Sequence, residues 1–308
     1  MRLAFVRSLI DARKKDERIH LLTGDLGFEV FEEFVEKFPQ SFTNVGVAEA
    51  NMVGMASGMA HLGFKCICYS ITPFLVFRAL EQIRNDVCYH NLDVKIVGVG
   101  GGLGYSSNGQ SHTTLEDIAV MRSLPNMTVL CPGDPLETYM ATKQMLAACS
   151  PTYLRLGKKG ETNLMYEHIG NFEIGKPVCL REGQDLLVFS VGNMLEATIN
   201  AMDELAKRGL NPTHVHVHTI KPINAKDFQE IMQKHTHIVT VEEHSIIGGL
   251  GNMISEINST GEFPLKKMLM LGLEDKYFNI GGTQRYLRNI SGLDSTGIVM
   301  KVSEFFKK

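Results

Sequence analysis

No CxxC pair and no framework spacing links the six cysteines, Cys66, Cys68, Cys88, Cys131, Cys149 and Cys179. They read as reduced thiols of a cytoplasmic protein, which excludes a disulfide scaffold. Long basic runs are missing too: the longest is Arg13-Lys14-Lys15, in a chain of net charge −3. A nucleic-acid surface needs clustered Lys and Arg, so that class of partner is excluded. The apolar stretches of the opening "MRLAFVRSLIDARKKDERIHLL" are far too short for a signal or a membrane span. Tryptophan, low-complexity tracts and repeats of short period are also absent.

What remains is an ordinary composition, 44% hydrophobic and 21% charged over 308 residues, enough for two domains with a core each. Short β-branched runs alternate with longer helical stretches. Strands are expected at 19–24, 65–70, 94–100, 127–132 and 152–157, with helices at 1–15, 49–62, 74–90, 113–123 and 135–148. Apolar strands alternating with helices predict a parallel sheet covered on both faces. In "LCPGDPLE", Pro and Gly end a strand and Asp134 is placed to cap the next helix. The pattern weakens over 162–176, the expected connection between domains 1–165 and 166–308. A second set follows: strands at 185–192, 212–220, 237–243 and 267–273, helices at 195–208, 225–235 and 248–257, and two short terminal helices. The fold class is therefore α/β, two domains each built on a mostly parallel sheet flanked by helices.

Five stretches could carry chemistry. In "NVGVAEANMVGMASGMA" (44–60), Glu49 is the single carboxylate among small residues. It either sits in a helix first turn, favoured by the dipole, or is a desolvated acid with a raised pKa, suited to proton sharing. In "TPFLVFRALEQIRN" (72–85), Phe74 and Phe77 lie three apart on one helical face, as core or as a ligand platform. "VGVGGGLGYSSNGQSHTTLED" (97–117) runs from a strand through glycines to His112 before a helix. Ligands of open α/β sheets bind at such strand ends, but the glycines match neither a P-loop nor a dinucleotide fingerprint. "LRLGKK" (154–159) ends a strand with Arg155, Lys158 and Lys159, a phosphate site or a solvated face. "VEEHSIIGGLGNMISE" (241–256) offers a helix N-terminus for an anion, or for packing.

In this order the segments resemble the C-terminal half of transketolase-type thiamine diphosphate enzymes, over essentially the whole chain. Transketolase and 1-deoxyxylulose-5-phosphate synthase are the nearer likenesses, the beta subunits of pyruvate dehydrogenase-type decarboxylases the more distant. The resemblance implies a pyrimidine-binding domain followed by a transketolase C-terminal domain. It makes Glu49 the cofactor-activating acid that hydrogen-bonds the pyrimidine ring nitrogen, in the dry site such a task requires. It places Phe74, Phe77 and Leu80 against the pyrimidine, and His112 beside the reacting carbon as a donor to the substrate oxyanion. Lys158, with Arg155 near it, takes the place of a phosphate-binding arginine, keeping the charge but losing the bidentate fork.

The departures are informative. Transketolases carry a histidine and an aspartate twelve and four residues before the His112 position; Gly100 and Asn108 stand there instead. Asn108 can still hydrogen-bond a substrate hydroxyl. The family's GDG…N motif for metal and diphosphate is missing: "GDLG" at 24–27, with Asn51 downstream, has Leu26 third and falls in the pyrimidine-side domain. No metal ligand is therefore expected on this chain. The resemblance implies a split enzyme whose N-terminal transketolase-like subunit supplies the Mg2+ and diphosphate site, in an α2β2 heterotetramer with a homodimeric contact. The expected reaction is transfer of a two-carbon ketol unit between sugars, phosphorylated or nucleotide-linked, with the isolated chain inert. The alternatives are a decarboxylating subunit, like the deoxyxylulose-phosphate synthase or the dehydrogenase beta chain, and a non-catalytic assembly subunit. No membrane partner is expected.

Overall fold

The computed structural model describes residues 1–164, 172–278 and 280–307. The expected boundary at 165/166 lies outside them. The first half runs α1 (Arg2–Arg13), β1 (Ile19–Thr23), α2 (Glu32–Lys37), β2 (Phe42–Asn44), α3 (Glu49–His61), β3 (Lys65–Ile71), α4 (Thr72–Arg78) and α5 (Leu80–Gln82). It continues with β4 (Val94–Val99), α6 (Asp117–Ser123), β5 (Thr128–Leu130), α7 (Pro135–Ala147) and β6 (Thr152–Leu156). The second half comprises β7 (Val178–Arg181), β8 (Leu187–Ser190), α8 (Leu195–Lys207), β9 (Thr213–His216), β10 (Thr219–Lys221), α9 (Ala225–Met232) and β11 (His237–Ser245). It ends with α10 (Leu250–Thr260), β12 (Lys267–Leu273), α11 (Gln284–Ile290) and α12 (Ser295–Lys307).

Two sheets result. The larger has the order β10-β5-β6-β4-β3-β1-β2, the smaller β12-β11-β8-β9-β7. Every residue of β4 and β6 is buried, the charged Lys95 and Arg155 included, which is why neither strand shows an apolar–polar alternation with one face to solvent. All pairs in the larger sheet are parallel except β10 on β5, and in the smaller all except β7 on β9. Pro135 at the start of α7 and the Asp134 carboxylate, which accepts from the Glu137 N–H at 2.7 Å, begin that helix as the sequence predicts.

The structure departs from the sequence expectation in four places. The run 212–220, expected as one strand, divides: Thr213–His216 pairs with β8, while Thr219–Lys221 crosses to pair antiparallel with β5. The second half thus contributes an edge strand to the first half's sheet. The helix expected over 74–90 is α4, α5 and a π-helical turn at Ile83–Cys88. The helix expected from 113 begins only at Asp117, because Thr114 is paired backbone to backbone with Gly102. The short α2, β2 and β7 carry too few residues for a periodic signal. The halves share one apolar cluster, running from Met52 and Val53 on α3 to Phe189, Phe228 and Ile254.

Candidate active site

The carboxyl ends of four adjacent parallel strands, β2, β1, β3 and β4, supply the site. Glu49 sits in the first turn of α3 and is 2% exposed. Its Oε1 accepts from the Ser70 hydroxyl at 3.2 Å, on β3, and its Oε2 from Arg78 Nη1 at 3.1 Å, at the end of α4. At the end of β1, Gly24 stands beside the carboxylate, where a Cβ would be in ordinary van der Waals contact with Oε1 at 3.8 Å. The helical spacing of Phe74 and Arg78 puts the guanidinium over the Phe74 ring, 4.2 Å from its centroid. His112 also meets that ring, edge-on at 4.9 Å. Glu49, Arg78, Phe74 and His112 therefore form one continuous row.

The remaining sequence-predicted residues are placed differently. Phe77 is 41% exposed and Leu80 packs against the core. Asn108 lies exposed in a 3-10 turn, reached by the Ser107 hydroxyl at 3.5 Å. Lys158 holds its Nζ 4.3 Å from the Tyr105 ring centroid and lines a cavity of about 410 Å3 with Arg2, Arg7 and Lys159.

Arg155 is not presented to a ligand. It is 5% exposed and grips Asp117 with Nε at 2.7 Å and Nη2 at 3.2 Å, while Nη2 also donates to the Glu243 carbonyl at 3.0 Å. Tyr153 adds a hydrogen bond to Asp117 at 2.6 Å. Burial by itself would raise the Asp117 carboxyl, but the charge of Arg155 and the hydrogen bonds from Arg155 and Tyr153 outweigh it and hold the group below its ordinary range.

The glycine run serves the protein's own side chains. A Cβ on Gly101 would lie 2.6 Å from Arg155 Nε, and one on Gly102, at φ +74, would collide with the Glu243 carboxylate. Arg78 is the residue that sequence reasoning missed. Its signal was available: a lone cation in an apolar helix, four residues after Phe74.

The residues present fit the pyrimidine end of a thiamine cofactor. A buried carboxylate retains acceptor capacity beyond Ser70 and Arg78, beside an aromatic face and a histidine. Among the described residues, no group of three or more His, Cys, Asp or Glu is placed to hold an ion. In the "GDLG" string, Asp25 is tied to Asn44 at 3.0 and 3.1 Å, closing the loop after β1. Among the described residues no helix is long and apolar enough to cross a membrane.

Comparisons with known proteins give the family and the fold. The family profile described as "Transketolase, pyrimidine binding domain" matches residues 1–161, and that described as "Transketolase, C-terminal domain" matches residues 175–276. The 6-deoxy-6-sulfo-D-fructose transketolase subunit SqwH of Clostridium sp. (strain MSTE9) is 34% identical over 99% of this chain and 94% of its own length. An apulose-4-phosphate transketolase subunit of Phocaeicola vulgatus is 31% identical over 100% of this chain and 97% of its own. The solved structure of a split-gene transketolase, an inactive β4 tetramer, matches with a TM-score of 0.91 at 32% identity, covering 99% of this chain and 98% of that one.

Proposed function

We propose, since this chain belongs to the transketolase family, that it is the pyrimidine-side subunit of a split transketolase. In this reading the enzyme transfers a two-carbon ketol unit between sugar donors and aldose acceptors. The single observation that carries the reading is Glu49, a carboxylate buried at strand ends and in one row with Phe74 and His112.

Family membership implies thiamine diphosphate. Once bound, that group supplies the carbon nucleophile and electron sink that ketol transfer requires. Glu49 holds a proton against the pyrimidine ring nitrogen, and its burial keeps water from competing for it. Phe74 and Phe77 give the pyrimidine an aromatic face, with Leu80 behind. His112 donates to the oxygen that gains charge on the substrate. Asn108 addresses a substrate hydroxyl and Lys158 an anionic group on the sugar. The names of the two relatives support that last assignment, since one is named for a sulfosugar and the other for a sugar phosphate. Arg155 is given a different task here, holding Asp117 in the interior.

The diphosphate and Mg2+ belong in this reading to an N-terminal transketolase-like subunit, paired with this one as a cytoplasmic α2β2 heterotetramer with a contact between copies of this chain. The two units of the chain divide near 165/166. Relatives named as transketolase subunits support the partner.

The test is exchange of the thiazolium C2 proton in D2O, followed by quenched NMR on the complex recovered with its partner. Glu49→Gln keeps the shape and removes the acid, so exchange should slow by at least about 100-fold, the scale of general acid–base catalysis. Unchanged exchange in an intact complex would overturn the assignment and favour an assembly role.

A further inference from the structure

Glu243 is a buried carboxylate, 1% exposed, near the carboxyl end of β11. It belongs to the second half of the chain, yet it reaches the glycine-rich loop of the first. Its Oε1 accepts from the Leu103 N–H at 2.8 Å, from Asn193 Nδ2 at 3.2 Å and from Gln284 Nε2 at 2.8 Å. Its Oε2 takes Gln284 Nε2 at 3.1 Å and an ion pair with Arg288, whose Nη2 donates to the Asn193 carbonyl at 3.1 Å. One carboxylate thus gathers donors from two separate segments of the second half and gives one acceptor site to a backbone N–H of the first.

That N–H lies at the base of an arch. Gly102 and Thr114 exchange backbone hydrogen bonds at 2.8 and 3.1 Å, closing the loop between them, and His112 stands two residues before Thr114. Gly102 faces Glu243 so closely that any side chain would strike the carboxylate. Further ties fix the same arch to the second half: the Ser106 hydroxyl donates to the Gly282 carbonyl at 3.0 Å and the Ser245 N–H to the Leu115 carbonyl at 2.8 Å. Just past the arch, the Ala119 N–H donates to His244 Nε2 at 3.3 Å.

From this geometry we infer that Glu243 is a positioning residue: it pins the base of the 102–114 arch and thereby sets where His112 stands against Phe74. The second half of the chain then takes part in the chemistry of the first, through the placement of a substrate-facing histidine. Only the catalytic meaning of that placement rests on the function proposed above. The placement itself is measurable on the chain alone, so each idea can fail without the other.

The readout is the His112 ring. It lies edge-on to Phe74 at 4.9 Å, so ring current displaces its NMR signal, recorded on the full chain with 13C-labelled histidine and assigned with His112→Asn. Glu243→Gln preserves size and removes the charge that Arg288 and Leu103 meet. The His112 signal should move toward its position in Phe74→Leu, and amides of the arch should exchange about tenfold faster or more, while those of β3, β4 and β8 hold. Glu242→Gln is the control for plain destabilisation. That neighbour accepts from the Leu250 and Gly251 N–H groups, each at 2.8 Å, on the helix that follows its own strand, whereas Leu103 of the arch donates to Glu243. It should lower Tm and leave the His112 signal in place. If Glu243→Gln does not fold, Gln284→Ala, which removes one donor from the same carboxylate, should shift the signal in the same direction by less. A His112 signal unmoved in the folded Glu243→Gln chain, or in Gln284→Ala, would overturn the inference.

Discussion

A carboxylate in the first turn of a helix is commonplace; one that is 2% exposed and met by a hydroxyl and a guanidinium is not. Glu49 was legible because it was the single charge in a segment otherwise built for close packing. Arg155 was not legible, since its ion-pair partner Asp117 lies 38 residues away and a linear sequence does not show which cation will be internal. Phe74 is the residue on which Arg78 and His112 converge, and its aromatic face is what a pyrimidine would lie against. Phe74→Leu keeps an apolar filler and loses that face, so thiamine diphosphate affinity of the assembled enzyme should fall about tenfold, consistent with the typical worth of an aromatic pair. Calorimetric titration checks this. An unchanged affinity would take Phe74 out of the cofactor site.

The mainly apolar strands β3, β4 and β6 were readable as parallel and doubly covered because burial on both faces removes alternation, although the interior places of Lys65, Lys95 and Arg155 were not. The β9–β10 segment was not. "HVHVHTI" reads as one alternating strand, and nothing local marks the passage from the smaller sheet to the larger, which long-range pairing with β5 decides. The late start of α6 has the same origin, since Thr114 is taken by Gly102. The glycine run stands at a strand end of the kind where ligands of open α/β sheets bind, and glycine permits close approach there. The approach is made by Arg155 and Glu243, side chains supplied by the fold itself.

Over the whole molecule, several titratable groups of the second half are buried. Burial pushes His214 down to about 3 and His218 and His244 down to about 4, and pushes Glu242 up to about 7. For His244 the hydrogen bonding agrees: Nε2 accepts from Ala119 while Nδ1 faces the Ser245 carbonyl at 2.7 Å, the neutral tautomer. A histidine whose folded pKa lies below its ordinary 6.5 is protonated first in the unfolded chain, so its contribution is complete above about pH 6.5 and is lost as pH falls. Glu242, raised from 4.5, acts in the opposite sense, its contribution lost as pH rises toward 7. Each group shifts stability by about 1.4 kcal/mol per pH unit within its window. The three histidines outnumber the one glutamate, so Tm should decline steadily between about pH 6.5 and 4.5. A melting series by circular dichroism checks it, and a flat or rising Tm on acidification would contradict it. At this same scale lies the claim that half of the cofactor site is missing from this chain. The measurement that tests it most directly is native mass spectrometry of the chain recovered gently from its host, with magnesium and thiamine diphosphate present. The expected result is two copies of this chain with two of a second polypeptide and bound cofactor. Recovery only as an assembly of identical chains without cofactor, under those conditions, would contradict it.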